Sequence, residues 1–155
     1  MRVLDRLVIR PALSDERPAL EALQMRASLI WEEYREDLAA HPEDVCLTQN
    51  AIEELRVRVA MMDGAVVGFS ETVLTSEREW ELEGLFVEPD AMRRGVGGRL
   101  LDDLFELARR AGVARIRVIA EPHAAAFYER NGFMREGHMQ TQFGPAVRMG
   151  LVLAR

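Results

Sequence analysis

Residues 80–120 constrain the fold of this chain more than any other segment, because the hydrophobic period changes twice within them. Polar and apolar side chains alternate over residues 80–83, at the start of an expected strand that runs to Val87, and after Pro89 the apolar residues recur at helical spacing. The apolar face of that helix is formed by Leu100, Leu101, Leu104, Ala108 and Ala111. Gly112 can end the helix as a C′ glycine, and residues 116–120 form a strand again. Because such crossovers are right-handed and join parallel strands, the segment predicts a βαβ unit.

The rest of the chain supplies shorter elements on either side of this unit. The pattern predicts strands at residues 7–10, 56–61, 66–69 and 147–153 and helices at residues 15–28, 30–40 and 123–131. A length of 155 residues suits one hydrophobic core. We therefore expect a single α/β domain over residues 1–155, with a mixed, mostly antiparallel sheet flanked by helices.

Local signals refine the first half of this prediction. Ser14 is expected to be the N-cap of the first helix, whose apolar side carries Leu20, Leu23 and Leu29. Asp63-Gly64 between two short strands is a hairpin signal. Residues 43–50 have no clear period, and we expect a loop there that lines a substrate pocket.

Composition excludes several functions. The formal net charge of −6 argues against a nucleic-acid partner, whose binding depends on neutralised phosphates, and favours a cationic small molecule or a peptide amine. No apolar run approaches the roughly 20 residues that span a membrane, and the N-terminus lacks a signal-peptide pattern, so we expect a soluble, cytoplasmic protein. Cys46 is the only cysteine, which excludes an internal disulfide and multi-cysteine metal sites, and we predict no metal. The chain has no lysine, which excludes a P-loop lysine and a pyridoxal phosphate Schiff base.

A Gly-rich turn precedes the helix of the βαβ unit. It reads Arg93-Arg94-Gly95-Val96-Gly97-Gly98. A helix N-terminus offers unpaired N–H groups, and glycines let phosphate oxygens approach them, so the turn predicts a pyrophosphate site. The alternative is that the glycines only shape a tight turn. A Rossmann site would need a glycine at Leu100 and a turn directly after the strand, whereas residues 88–92 intervene here.

The order of motifs around this turn resembles the GCN5-related N-acetyltransferases. The matching residues are Leu85-Phe86-Val87-x-Pro89, Arg94-Gly95-Val96-Gly97 and Ala126-Phe127-Tyr128-x-x-x-Gly132-Phe133. The resemblance implies that acetyl-CoA lies in a V-shaped gap between the strands ending at Val87 and Ala120. It also implies that the backbone of residues 85–87 pairs with the pantetheine arm. Met92 stands where the family usually has Gln or Arg. We therefore expect backbone N–H groups, rather than the side chain at this position, to bind the pyrophosphate.

The same resemblance implies roles for side chains in the transfer reaction. Glu81 or Glu83 would be the general base, and their two-residue spacing leaves the choice open. Tyr128 would protonate the departing sulfur, with Phe127 packed beneath it. His123 stands where the family often has an asparagine that contacts pantetheine. The alternatives are solvated carboxylates on the strand, a core tyrosine whose hydroxyl is bonded elsewhere and, for His123, a plain residue at the start of a helix.

These features predict an N-acetyltransferase that moves an acetyl group from acetyl-CoA directly to a primary amine of a small molecule or peptide. The alternative is an inactive acyl-CoA-binding or sensing module, and an acetyltransferase toxin acting on charged tRNA is disfavoured by the acidic balance. Trp31, Glu33 and Tyr34 are candidates for an acceptor pocket, and residues 139–145 are expected to contribute to it. Dimerisation is common in the family, so the resemblance allows a homodimer and leaves the oligomeric state open.

Overall fold

A computed structural model describes residues 6–153, without the side chains of Glu32 and Glu33. The strands are β1 Leu7–Pro11, β2 Val57–Met62, β3 Ala65–Leu74, β4 Glu79–Val87, β5 Arg115–Ala120, β6 Met134–Thr141 and β7 Gly144–Val152. The helices are α1 Arg17–Leu29, α2 Glu32–Ala40, α3 Gln49–Glu53, α4 Val96–Arg110 and α5 Ala125–Arg130. The strands form one sheet in the order β1-β2-β3-β4-β5-β7-β6. The predicted α/β class is therefore confirmed.

The sheet contains both antiparallel and parallel pairs of strands. β1 with β2, β2 with β3, β5 with β7 and β6 with β7 are antiparallel pairs. β4 and β5 run parallel, with residues 79–82 opposite residues 115–118. The helix that connects these two strands is α4, so the predicted βαβ unit is confirmed.

The chain divides into two compact units. The first consists of residues up to 71 with residues 84–100, and the second consists of residues 72–83 with those from 101 onward. β3, β4 and α4 each contribute residues to both units. The single domain expected from chain length stays a prediction. Within residues 6–153, no helix is long and apolar enough to cross a membrane.

The first unit buries side chains on both faces of β2. Val59 belongs to a buried cluster with Leu20 and Leu23 of α1. The next residue, Ala60, points to the opposite face and belongs to a second cluster with Val96 at the start of α4. The start of α4 is therefore held in the core of this unit.

Glycines with positive φ end two helices in the second unit. After α4, Gly112 has a φ of 77°, and Val113 donates to the carbonyl of Ala108 at 2.9 Å. After α5, Gly132 has a φ of 100°, and Phe133 donates to the carbonyl of Tyr128 at 3.1 Å. Both are Schellman motifs, and the predicted end of α4 is confirmed.

The hairpin prediction is also confirmed. Asp63 and Gly64 have φ values of 51° and 83°, as the two central residues of a type I′ turn require. The turn joins β2 to β3, which pair in antiparallel register. Right-handed strand twist favours this turn type for two-residue hairpins.

Several predictions for the N-terminal half are wrong in detail. Ser14 is not an N-cap, because residues 14–16 form a 3-10 turn, α1 begins only at Arg17, and Glu16 accepts the backbone N–H of Leu13 at 2.8 Å. Residues 43–50 are not wholly a loop, since Thr48 accepts the N–H of Ala51 at 3.1 Å and caps α3.

Two predictions for buried positions also need correction. Leu29 is only half-buried, and Ala27 takes the buried position on α1. Ala111 lies beyond the last residue of α4 and is exposed, whereas Phe105 is buried on that helix.

Strand β6 was not predicted. Most of its side chains are exposed, so they lack the alternation that marks a half-buried strand. It lies at the edge of the sheet beside β7. β7 itself begins at Gly144, three residues earlier than expected.

Candidate active site

The Gly-rich turn of the first unit has the geometry of an anion-binding helix start. A 3-10 turn at Pro89–Ala91 follows β4, and Arg93 and Gly95 then take positive φ values of 63° and 84°. The first hydrogen bond of α4 runs from the Arg99 N–H to the Gly95 carbonyl, at 3.1 Å. The amides of residues 96–98 precede that bond, so they have no acceptor within the helix and lie at the positive end of its dipole.

The side chains of the turn divide between core and solvent. Val96 is 1% exposed and packs in the second buried cluster, so only its backbone N–H is available to a ligand. Arg93 and Arg94 are exposed. Gly97 and Gly98 are half-buried at the start of the helix. Positive side chains and free amides therefore lie together, as a pyrophosphate group requires.

The strand before the turn is fixed by a close backbone approach. Leu85, Phe86 and Val87 are half-buried. A Cβ on Gly68 would lie 2.9 Å from the Phe86 carbonyl oxygen, so a side chain there would displace this part of β4. The Glu88 N–H donates to the Val67 carbonyl at 2.8 Å.

An ion pair joins the end of β4 to α1. Arg26 Nε lies 2.6 Å from Glu88 Oε1, and Arg26 Nη2 lies 2.8 Å from Glu88 Oε2. This two-bond geometry holds the pKa of Glu88 below its usual range, mainly through the hydrogen bond from Arg26. The pair therefore fixes the residue that immediately follows the predicted pantetheine-binding strand.

Replacing Glu88 with glutamine should reduce stability at neutral pH by up to about 1 kcal/mol, because Arg26 is largely exposed and solvent screens the pair. Since the folded pKa of Glu88 lies below its unfolded value, the pair stabilises the fold above about pH 4.3, and the effect is lost as pH falls through the folded pKa. Urea unfolding of both proteins between pH 7 and pH 3 should show the difference shrinking with acid. Glu106→Gln, in an exposed pair with Arg110, is the control. A Glu88→Gln deficit that persists unchanged at pH 3 would contradict this assignment.

Tyr128 of the second unit lies within a group of aromatic rings. Its side chain is 7% exposed. Its ring makes edge contacts with Phe127 at 5.2 Å and Phe133 at 5.4 Å between centroids. The Schellman motif after α5 brings Phe133 back onto Tyr128, because its C″ and C3 residues touch. Burial, with a smaller effect of Glu121, raises the pKa of Tyr128 above its ordinary range. The phenol is therefore protonated at neutral pH, as a proton donor must be.

The acidic residues of β4 in the second unit alternate with a buried leucine. Leu82 is 2% exposed, and Glu81 and Glu83 point to the opposite face. Glu81 is half-buried and lies opposite Arg117 of β5. Glu83 is exposed and lies just beyond the last paired residue of this register. The choice of base between these two stays open.

His123 is engaged by a neighbouring carboxylate. Its Nε2 lies 3.0 Å from Glu121 Oε2, and its side chain is 20% exposed. The contact with pantetheine stays a prediction. Within residues 6–153, no group of three or more His, Cys, Asp or Glu side chains is placed to hold a metal ion.

The residues expected to form an acceptor pocket are only partly described. Tyr34 is buried and Trp31 is half-buried, whereas the Glu33 side chain lies outside the described residues. Residues 139–145 form the end of β6, a turn and the start of β7. Acceptor binding by these residues stays a prediction.

The sequence pattern did not single out Arg26, Glu88, Arg117 or Arg148. Arg117 lies on β5 and Arg148 lies on β7. Both alternate with buried neighbours, which places them on the same face of the sheet. That alternation is visible in the sequence and could have identified both residues. The pairing of Arg26 with Glu88, 62 residues apart, could not be predicted from the sequence.

Fold and site together define an α/β protein with a Gly-rich turn at the start of the helix that follows a central strand. Residues 23–133 match the family model described as the Acetyltransferase (GNAT) family. The chain therefore belongs to the GNAT acetyltransferases.

Similar proteins agree with this assignment. The chain is 31% identical over 96 residues to the IAA acetyltransferase of Azospirillum brasilense, a match that covers 59% of this chain and 60% of that protein. It is 30% identical over 112 residues to the mycothiol acetyltransferase of Beutenbergia cavernae, covering 61% of this chain and 37% of that protein. The chain thus spans between 37% and 60% of the length of these two curated relatives.

The fold is shared with solved structures. One is the PaiA N-acetyltransferase from Thermoplasma acidophilum in complex with coenzyme A. The TM-score is 0.75 at 19% sequence identity, and the match covers 94% of this chain and 98% of that chain. At this identity the likeness shows the fold, and the expected GNAT fold is confirmed.

Proposed function

We propose that the protein is an N-acetyltransferase that transfers the acetyl group of acetyl-CoA to a primary amine of a small molecule or peptide. The observation that carries the proposal is the Gly-rich turn, where the amides of residues 96–98, which have no acceptor within the helix, lie beside exposed arginines. Membership of the GNAT family supports it, as do the names of two relatives and the coenzyme A complex of the PaiA enzyme.

The donor would be held chiefly by backbone groups. The amides of Gly95, Val96, Gly97 and Gly98 would bind the pyrophosphate, with Arg93 and Arg94 neutralising its charge. The backbone of residues 85–87 would pair with the pantetheine arm as an added strand does. His123 and Phe127 are proposed to contact the same arm.

The chemical step is a direct transfer without an acetylated enzyme. The amine gives up a proton to Glu81 or Glu83, and its nitrogen attacks the thioester carbonyl carbon. A C–N bond forms, the C–S bond breaks, and the electron pair of that bond goes to sulfur. The sulfur takes a proton from Tyr128. An acceptor that begins as an ammonium group releases its second proton to water as the amide forms, and Tyr128 is reprotonated from water. The products are the acetylated amine and free coenzyme A.

Replacing the base should slow the reaction by about 100-fold or more at neutral pH. We expect this loss of kcat in only one of the variants Glu81→Gln and Glu83→Gln, because one carboxylate is enough to take the proton. The deficit should shrink as pH rises, since more of the amine is then already neutral. Rates from pH 6 to pH 10 provide the measurement. A normal rate in both variants would contradict the assignment of the base to this strand.

The function itself is tested with the whole protein and a panel of primary amines. Calorimetry should show acetyl-CoA binding, and a thiol reagent should report free coenzyme A only when a suitable amine is present. Absence of acetyl-CoA binding would contradict the proposal. Binding without transfer to any amine would favour an acyl-CoA-binding or sensing module instead.

A further inference from the structure

The sheet of the second unit has one buried face and one open face. The buried face carries Leu82, Ile116, Val118, Val147 and Met149. The alternate residues point the other way, and large apolar side chains there are exposed: Ile119, Met134, Met139 and Val152. Glu81 lies on this open face, which also carries charged side chains of both signs. A molecule could therefore bind on it through polar as well as apolar contacts.

Two ion pairs neutralise part of the charge on the open face. Glu79 Oε1 lies 3.3 Å from Arg117 Nη1. Glu136 in β6 pairs with Arg115, and this pair lies over Gly150, because a Cβ there would be 2.8 Å from Arg115 Nη2. Each of these arginines thus already has a carboxylate partner.

Glu81 and Arg148 remain on this face without an ion pair to any residue from 6 to 153. One is a carboxylate and the other a guanidinium. An exposed sheet face tolerates such groups because water solvates them. A ligand that carries a positive group at one end and a negative group at the other would satisfy both.

The position of Arg148 is defined by a glycine. The guanidinium lies across Gly137 of β6, where a Cβ would be 2.7 Å from Arg148 Nη2 and 3.4 Å from Cζ and Nε. The exposed side chain therefore rests on backbone and presents its free N–H donors to solvent.

Two side chains of β5 lie between the two charges: Arg117, which is opposite Glu81 and pairs with Glu79, and Ile119. Ile119 of β5 lies opposite Arg148 in the register and is 42% exposed. β5 lies between β4 and β7, and Ile119, opposite Arg148, is two residues beyond Arg117, opposite Glu81. Two strand spacings and this two-residue offset together place the Cα atoms of Glu81 and Arg148 about 12 Å apart. Ile119 thus offers an apolar surface between a cation site and an anion site.

We propose that the acetyl acceptor is an amine that carries a carboxylate at the far end of a short aliphatic chain. The ammonium group binds at Glu81, the chain lies over Ile119, and the carboxylate binds the guanidinium of Arg148. This inference rests on the proposed N-acetyltransferase function and specifies its substrate class. Free ω-amino acids and the N-termini of acidic peptides share this chemistry.

The test uses matched acceptors that differ only in charge. The probes are glycine, 4-aminobutanoate and 6-aminohexanoate, each with its carboxamide, and the peptides Ala-Glu-Ala and Ala-Gln-Ala with amidated C-termini. We expect kcat/KM for the better carboxylate acceptors to exceed that of their amides by about 10- to 100-fold. Glycine is expected to be poor because its two charges lie too close together. Comparison of the free amino acids with the peptides shows whether the acceptor is a small ω-amino acid or the N-terminus of an acidic peptide.

Substitution of Arg148 adds a specific readout. Arg148→Gln should raise KM for the carboxylate acceptors by about 10- to 100-fold and leave KM for acetyl-CoA unchanged. For the carboxylate acceptors, the KM of Arg148→Lys should lie between that of the unchanged protein and that of Arg148→Gln, because lysine keeps the charge and loses the planar fork. Arg148→Glu should turn the preference toward 1,5-diaminopentane. Arg110→Gln on the exposed side of α4 removes the same charge elsewhere and should have no effect on either KM.

The outcomes separate this inference from the function on which it rests. Absence of acetyl-CoA binding contradicts the proposed function. If acetyl-CoA binds, equal use of the carboxylates and amides overturns the inference, as does failure of every carboxylate probe. An Arg148→Gln variant with unchanged KM for the carboxylate acceptors overturns it as well.

Discussion

The Gly97→Leu substitution is expected to weaken acetyl-CoA binding by at least about 100-fold, because the side chain occupies the approach of the phosphates to the amides of residues 96–98. Each hydrogen bond from an amide to a charged oxygen contributes about 1.5–3 kcal/mol, so loss of two is enough. Calorimetric titration with acetyl-CoA provides the measurement. Gly97→Ala adds only a Cβ and should show a smaller loss in the same direction.

Folding must be separated from binding in this experiment. Leucine favours helix more than glycine does, so the melting temperature of Gly97→Leu should not fall through helix propensity. Asp102→Leu adds the same side chain at an exposed position of α4 and should bind acetyl-CoA normally. A folded Gly97→Leu protein that keeps full affinity would refute the assignment of the turn to the pyrophosphate.

The Tyr128→Phe substitution is expected to lower kcat by about 100-fold or more, while acetyl-CoA affinity stays nearly intact. The ring contacts with Phe127 and Phe133 do not involve the hydroxyl, so phenylalanine preserves them. The loss should shrink with an acetyl thioester whose thiol is more acidic, because that leaving group needs less protonation. Steady-state kinetics with both thioesters provides the measurement.

A substitution elsewhere in the same group of aromatic rings, Phe105→Leu, is the control for Tyr128→Phe. Phe105 contacts Phe133 at 6.0 Å between ring centroids and is one ring removed from Tyr128. Phe105→Leu should cost stability by roughly 1 kcal/mol and leave kcat close to normal. Because burial keeps the pKa of Tyr128 above its ordinary value, its ionisation should cause no loss of rate below about pH 10. An unchanged kcat in Tyr128→Phe would rule out its role as the acid.

Long periodic elements were predictable from the sequence, and weakly patterned ones were not. Helix α4 combines a repeated apolar face with a C′ glycine, and both signals agree with the structure. Strand β6 exposes most of its side chains, so its sequence lacks the alternation that a half-buried strand shows. The error at Ser14 has a local cause, since Glu16 satisfies the N–H of Leu13 and a 3-10 turn replaces the first turn of the helix.

The candidate site shows the same division. The Gly-rich turn is contiguous in sequence, so residue type and position were enough to predict an anion site. The pair Arg26 and Glu88 depends on folding, which brings a helix and a strand end together. Arg148 forms no ion pair with residues 6–153, and this depends on strand register and on the partners that the other charges have. Such properties belong to the fold and cannot be read from spacing alone.

The central claim, direct acetyl transfer from acetyl-CoA to an amine, is tested most directly by quantifying both products of one reaction. The intact protein is incubated with acetyl-CoA and a primary amine, and free thiol, acetylated amine and protein mass are measured over time. We expect one acetylated amine for each free thiol and no acetylated protein intermediate. Thiol release without acetylated amine, or acetyl groups that pass through the protein, would contradict the account.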